Sequence, residues 1–193
     1  MVHKPLGAIL AAMRRVLCAF LGFGAMFAPG WADQTDPRLD ALFEELRVGD
    51  ALDAEETAGR IIDIWSDSQS DTVDILFARA EQSIDAGSFE LAAALLDHVV
   101  GLAPNFAQGY ALRGSVRLAL EDQAGAVADF SKALELEPRQ FEVRIALAEL
   151  LLDNKETRDA YDMFQKALEW NPHNEHARRR ARTLREELEG QEI

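Results

Sequence analysis

Three prolines recur at a fixed interval in the second half of the chain. Pro104, Pro138 and Pro172 are each separated by 34 residues, although the sequence of 193 residues contains only six prolines. A fixed interval of this length is typical of repeat architectures, in which each repeat is one small supersecondary unit. The interval divides this part of the chain into three segments: residues 73–106, 107–140 and 141–174. The fold is therefore expected to arise by stacking similar units and not around one central core.

Small and large apolar residues follow the same interval. Small side chains fill two equivalent positions of every segment: Ala80, Gly114 and Ala148 at the first, and Ala92, Ala126 and Ala160 at the second. Large apolar side chains fill a third position: Leu96, Phe130 and Phe164. Each segment also holds two apolar stripes of helical period separated by a polar break. Each is therefore predicted to be an antiparallel helix hairpin, whose small residues allow close approach and whose proline ends the second helix.

The interval and the run from Ala126 to Pro138 resemble the tetratricopeptide repeat family. The resemblance covers the three segments of 34 residues. It implies an all-α fold, a right-handed solenoid of stacked antiparallel helix hairpins. The sequence departs from the family at Arg79 and Arg113, which stand where the first helix usually has an apolar residue. We expect the stems of these arginines to lie along the helix pair with their charged heads in water.

The segments that flank the three repeats are predicted to close the two ends of the stack. Residues 33–72 match the interval only in part, because bulky Leu46 and Trp65 occupy small-residue positions. We expect a degenerate first hairpin that caps the stack, with Asp36 as the N-cap of its first helix. Residues 175–193 carry one apolar stripe with charges elsewhere, which is typical of a polar-backed capping helix.

Residues 1–32 have the composition of a secretory signal peptide. They contain no acid, and an arginine pair precedes an apolar stretch at residues 16–28. Small residues then predict cleavage after Ala32, with Sec-type export to the periplasm if the source is Gram-negative. The alternative is a membrane anchor formed by the apolar stretch, although a spanning helix needs roughly 20 apolar residues. The start codon is open between Met1 and Met13, since a complete signal peptide also follows Met13.

Charge and cysteine content exclude several classes of function. The chain has 20 Lys and Arg against 34 Asp and Glu, a net charge of −14, and residues 33–193 alone carry −17. Nucleic-acid-binding proteins concentrate Lys and Arg, so no nucleic acid partner is expected. The single cysteine, Cys18, lies in the leader. Residues 33–193 can therefore form neither a disulfide nor a thiolate metal site.

The sequence contains no pattern that supports catalysis. It has no glycine-rich phosphate loop and no nucleophile elbow, and no cofactor or metal is expected. His173 and His176 have a spacing that could hold zinc, but a third ligand is missing nearby. A metal-dependent or other hydrolase built around this pair is the alternative from another class.

The resemblance also implies a binding surface, because the first helices of successive repeats line a concave groove in the family. The corresponding positions in this sequence are Asp74, Phe77, Ala78 and Glu81, then Gln108, Ala111, Leu112 and Ser115, then Glu142, Ile145, Ala146 and Glu149. Phe43, Glu44 and Arg47 would extend the groove if the first hairpin joins the stack. One sub-family clamps a peptide's terminal carboxylate with Lys, Asn and Arg, and none of these residue types stands at the groove positions of the three repeats. A carboxylate-terminated tail is therefore disfavoured.

An apolar strip edged by acids suits an amphipathic segment that carries Lys or Arg. The sequence thus predicts a non-catalytic protein-interaction scaffold of the bacterial envelope that binds a basic, apolar peptide in the groove. Two alternatives stay open. In the first, the acids only keep an exported scaffold soluble, and the apolar strip packs in the seams between repeats. In the second, the protein is a periplasmic holdase-type chaperone. Oligomeric state is not specified. Acidic residues 33–72 and a basic closing helix would favour head-to-tail association.

Overall fold

The computed structural model describes residues 35–191, which form α-helices joined by short turns. Helices α1 to α9 are Arg38–Val48, Ala51–Trp65, Asp71–Asp85, Phe89–Leu102, Ala107–Ala119, Gln123–Leu136, Phe141–Asp153, Thr157–Trp170 and Glu175–Gln191. The described residues contain no β-strand, and the predicted all-α class is confirmed. The predicted leader, residues 1–32, lies outside the described part of the chain.

Three hairpins form the centre of the molecule: α3 with α4, α5 with α6, and α7 with α8. The turn inside each hairpin contains one residue with positive φ: Gly87 at 70°, Glu121 at 62° and Lys155 at 62°. These three residues are 34 positions apart. Only the first is a glycine, so packing of the two helices holds Glu121 and Lys155 in a conformation that side chains disfavour.

Small residues bring the two helices of each hairpin together, as predicted. Ala80, Ala92, Ala126, Ala148 and Ala160 are fully buried. At Gly114, an added Cβ would lie 2.6 Å from the ring of Phe130. Phe130 is itself only 1% exposed. The α5–α6 hairpin therefore has no room for a side chain at this crossing.

An ion-pair network replaces the apolar contact that the repeat usually makes at Arg113. The Arg113 guanidinium donates to both carboxylate oxygens of Asp129, at 2.9 and 2.6 Å, and to Asp97 at 2.8 Å. Arg117 lies 2.9 Å from the same Asp129 carboxylate, which is 4% exposed. The expectation that the Arg113 head lies in water is therefore wrong. A buried carboxylate on α6 draws the guanidinium inward, because a buried charge requires a partner.

The first hairpin, α1 with α2, does not stack on the first repeat as a cap would. Its core residues Leu39, Leu42, Leu46, Ile61 and Ile64 are buried in one cluster that also contains Phe141 of α7 and Ala167 of α8. The core of the first repeat contains residues of α3, α4 and α5 but none of α1 or α2. The hairpin thus packs on the third repeat, which corrects the predicted position at the N-terminal end of the stack.

Aromatic side chains explain this change of position. Trp65 occupies a position that is Val99, Ala133 or Ala167 in the three repeats, and its ring lies 5.7 Å from that of Phe141. The bulky side chain prevents a regular stack on α3 but gains contacts with aromatic partners on the third repeat.

Helix α9 follows the third repeat and packs against α8. Ala177, Ala181 and Leu184 form its buried stripe, and the opposite faces are charged. None of the helices in residues 35–191 combines the length and the apolar character needed to cross a membrane.

Candidate functional site

The first helices of the three repeats present an accessible side to solvent, which we call the groove face. It consists of Ala78, Glu81, Leu112, Ser115, Glu142 and Ala146 on α3, α5 and α7. Glu81, Ser115 and Glu142 are exposed, whereas Leu112 and Ala146 are half-buried. These residues were all among the predicted groove positions.

Two predicted groove residues are not available to a ligand. Phe77 is 3% exposed, and its ring packs edge-on against Phe106 with centroids 5.2 Å apart. Ala111 is 8% exposed and belongs to the core between the second and third repeats. The predicted apolar strip of Phe77, Leu112 and Ile145 is therefore interrupted, because Phe77 points into the first repeat.

Two polar groove positions are occupied by contacts within the protein. The carboxylate of Asp74 accepts hydrogen bonds from the backbone N–H and the hydroxyl of Ser68, which fixes the start of α3. The side-chain oxygen Oε1 of Gln108 accepts a hydrogen bond of 3.0 Å from Nε2 of Gln140. Both side chains thus join adjacent elements of the stack.

The carboxylate of Glu149 is paired with side chains of α9 and is not available as an acidic edge of the groove. Its carboxylate accepts hydrogen bonds from the guanidinium of Arg180 and lies 2.7 Å from Nε2 of His176. The hydrogen bond from Arg180 is the main reason that the pKa of Glu149 lies below its usual range.

The histidine pair of the zinc hypothesis is divided between two environments. His176 contacts Glu149, whereas the backbone N–H of His173 donates to the Asn171 side chain. Residues 35–191 contain no group of three or more His, Cys, Asp or Glu side chains with the arrangement of a metal site.

Glu81 and Glu142, the two acids of the groove face, form no ion pair with described residues. The pKa of Glu142 is raised because the surrounding protein removes water from its carboxyl group. The pKa of Glu81 is raised by the same desolvation and, to a smaller extent, by the charge of Asp85. A cation brought to either carboxylate would therefore stabilise a charge that the protein leaves unpaired.

The first hairpin covers the predicted groove position Ile145 on α7. Ile145 packs against the apolar cluster of α1 and α2 as well as against the core of the repeats. The ring of Phe43 lies 5.5 Å from that of Trp170, and at 7% exposed Phe43 is inaccessible. Glu44 and Arg47 pair with each other on the surface at 2.7 Å. These three α1 residues therefore do not extend the groove beyond α3, which corrects that prediction.

Sequence reasoning missed the polar anchor of this hairpin. Glu137 is 2% exposed and accepts hydrogen bonds from the Trp65 indole at 3.3 Å and from Arg139 at 2.7 Å. Arg139 also donates to Asp40 at 2.9 Å and lies 5.0 Å from the Phe43 ring centroid. The available signal was the register, since Glu137 places a charge where the equivalent residue of the first repeat is buried Ala103.

Stacked helix hairpins with a 34-residue register define an α-solenoid of the repeat type. The family model that is described as Tetratricopeptide repeat matches residues 117–179 of the sequence. A TPR repeat-containing protein of Rhizobium etli is 27% identical over 154 residues, which are 79% of this chain and 76% of the relative. The chain therefore contains tetratricopeptide repeats.

Solved structures share this fold at low sequence identity. The type III secretion chaperone SycD of Yersinia enterocolitica, in complex with a peptide of the translocator YopD, matches with a TM-score of 0.54 and 20% identity. That match covers 63% of this chain and 92% of SycD. The crystal structure of MamA matches with a TM-score of 0.55 and 18% identity, over 80% of this chain and 82% of MamA.

Proposed function

We propose that the protein is a non-catalytic interaction scaffold that binds a basic, partly apolar peptide segment on the groove face. The observation that carries this proposal is that the carboxyl groups of Glu81 and Glu142 form no ion pair with described residues and lie on the same face as half-buried Leu112 and Ala146. A Lys or Arg side chain would gain a carboxylate partner that no other described side chain occupies. The complex of SycD with a YopD peptide supports peptide binding as a use of this fold.

Crosslinking from inside the living cell would test this proposal. A photo-reactive amino acid at Ser115 is expected to capture partner segments that contain Lys or Arg next to apolar residues. The same amino acid at Leu91, which is 56% exposed on α4, is the matched control for nonspecific capture. Identical adducts from both positions, or acidic segments at Ser115, would contradict the proposal. Adducts from many unrelated unfolded chains would favour a holdase-type chaperone.

The captured segment, made as a synthetic peptide, is expected to bind about tenfold more weakly to the Glu142→Gln variant at neutral pH. Binding of a cation lowers the raised pKa of Glu142, so complex formation releases protons and affinity rises with pH above the ordinary value of 4.5. The Glu142→Gln variant should lose part of this pH dependence. Titration calorimetry measures both effects, and a pH profile unchanged by the substitution would exclude Glu142 from the site.

We further propose that residues 1–32 direct export and are removed after Ala32, so that the scaffold acts in the periplasm. The acid-free, apolar composition of these residues supports this step. Terminal sequencing of the protein recovered from its native cell is expected to begin at Asp33 in the soluble envelope fraction. A protein that starts at Met1 or Met13 and sediments with membranes would instead favour an anchor at residues 16–28.

A further inference from the structure

Helix α9 has the position of the first helix of a fourth repeat. Its residues Ala177 and Ala181 lie 34 positions after Val143 and Leu147 of α7, and all four are buried. In each preceding repeat the first helix packs along the second helix of its own hairpin. No helix within residues 35–191 covers the corresponding face of α9.

Arginines line this uncovered face. Arg178, Arg182 and Arg185 are exposed, and Arg182 stands where Gly114 and Ala148 lie against the second helix of their repeats. Together with Gln165, Leu168 and Ala181, the three arginines line a cleft of about 420 Å³ between α8 and α9. Arg178 and Arg182 form no ion pair with described residues, and Arg185 has only a distant contact of 3.9 Å with Glu189.

The second repeat shows what arginines at these positions do when a second helix is present. Arg117 occupies the position that Arg185 has in α9, and it lies 2.9 Å from the carboxylate of Asp129 on α6. Arg113 of the same helix adds a bidentate contact to that carboxylate. An acid on the second helix thus satisfies the arginines of the first.

We propose that the α8–α9 cleft binds an acidic amphipathic helix of a partner protein in the place of a second helix. Its apolar side would contact half-buried Leu168, and its carboxylates would pair with Arg178, Arg182 and Arg185. Charge selects this partner, because a net charge of −14 repels an acidic helix from most of the remaining surface. The cleft lies apart from the groove face, so this proposal does not depend on the function proposed above.

A labelled peptide derived from α6 is a suitable probe. It consists of residues 123–136 with Lys132→Glu, which keeps Asp129 in a known second-helix sequence and adds a glutamate about one turn further along. The protein is expected to bind the probe, and the double variant Arg182→Glu with Arg185→Glu should bind it at least about tenfold more weakly. Fluorescence anisotropy measures the affinity, and circular dichroism verifies that each variant is folded.

The matched control is Arg179→Glu, which reverses a charge on the same helix. Arg179 is exposed and paired with Glu175 at 3.3 Å, away from the cleft, so its reversal should change affinity less than about twofold. Leu112→Ser on the groove face should also leave binding of the probe unchanged. An Asp129→Asn substitution in the probe should weaken its binding to the protein.

Three results would overturn the proposal. The first is that the probe does not bind at concentrations up to about 1 mM. The second is that Arg179→Glu weakens binding of the probe as much as the double variant Arg182→Glu with Arg185→Glu does. The third is binding of the protein, through Arg182 and Arg185, to phosphatidylglycerol vesicles but not to the probe. That result would assign the arginines to an anionic membrane surface.

Discussion

Replacing Trp65 with Ala is expected to detach the first hairpin from the third repeat while the three repeats stay folded. The Trp65 side chain is 4% exposed, contacts the rings of Phe43 and Phe141, and donates to Glu137. Loss of a buried tryptophan side chain costs about 3–5 kcal/mol. Because each unit of a solenoid contacts few others, this cost is expected to affect mainly the hairpin. Hydrogen exchange should become faster in residues 38–65 and stay unchanged in residues 71–170.

Val48→Ala is the control for Trp65→Ala, because Val48 belongs to the same hairpin but is 65% exposed. It should change neither hydrogen exchange nor the unfolding transition measurably. If Trp65→Ala instead accelerates exchange equally in all helices, the hairpin and the repeats unfold as one unit and the expected independence is wrong.

Detachment of the hairpin would also enlarge the groove face. Ile145 is a predicted groove residue that the α1–α2 cluster now covers, and Phe141 lies beside it in the same cluster. The position of the hairpin therefore sets the length of apolar surface that a peptide can reach. Trp65→Ala combines this functional effect with the stability effect, so peptide affinity and hydrogen exchange should be compared in the same variant.

The repeat architecture could be predicted from sequence because local spacing encodes it. Gly114 and Phe130 lie in one hairpin, and the period of 34 residues shows that they meet. The position of the first hairpin could not be predicted in this way. The contact between Trp65 and Glu137 spans 72 residues and has no counterpart in the other repeats. A periodic pattern reports which face of a helix is apolar, but not which of two available surfaces covers that face.

The candidate site was predictable by position but not by accessibility. The register placed Glu81, Leu112 and Glu142 on the first helices, where the first and third are exposed and Leu112 is half-buried. It could not show that Phe77 turns towards Phe106, because burial depends on the local side-chain packing of one repeat. It also missed the pairing of Arg113 with Asp129, since a buried carboxylate is indistinguishable in sequence from an exposed one.

Replacing Phe130 with Ala is expected to destabilise the centre of the stack by about 3–5 kcal/mol. Phe130 fills the seam between α5 and α6 and is 1% exposed, so its removal leaves a cavity that the two helices cannot close without losing other contacts. Urea unfolding followed by circular dichroism measures the loss. Leu91→Ala, at a position 56% exposed on α4, should cost less than about 1 kcal/mol. A comparable loss in both variants would contradict the assigned role of Phe130.

The close approach of Gly114 to Phe130 predicts that one substitution has opposite effects in two backgrounds. In the native protein Gly114→Ala should cost about 1–3 kcal/mol, because its Cβ would lie 2.6 Å from a buried ring. In the Phe130→Ala background the same methyl group enters the cavity, and alanine also favours the helix over glycine by about 1 kcal/mol. Gly114→Ala should therefore stabilise that variant. The third repeat accommodates Ala148 beside Phe164, so the cost arises from the local spacing of α5 and α6 and not from the residue types. Effects of the same sign in both backgrounds would show that the two residues are not coupled through this contact.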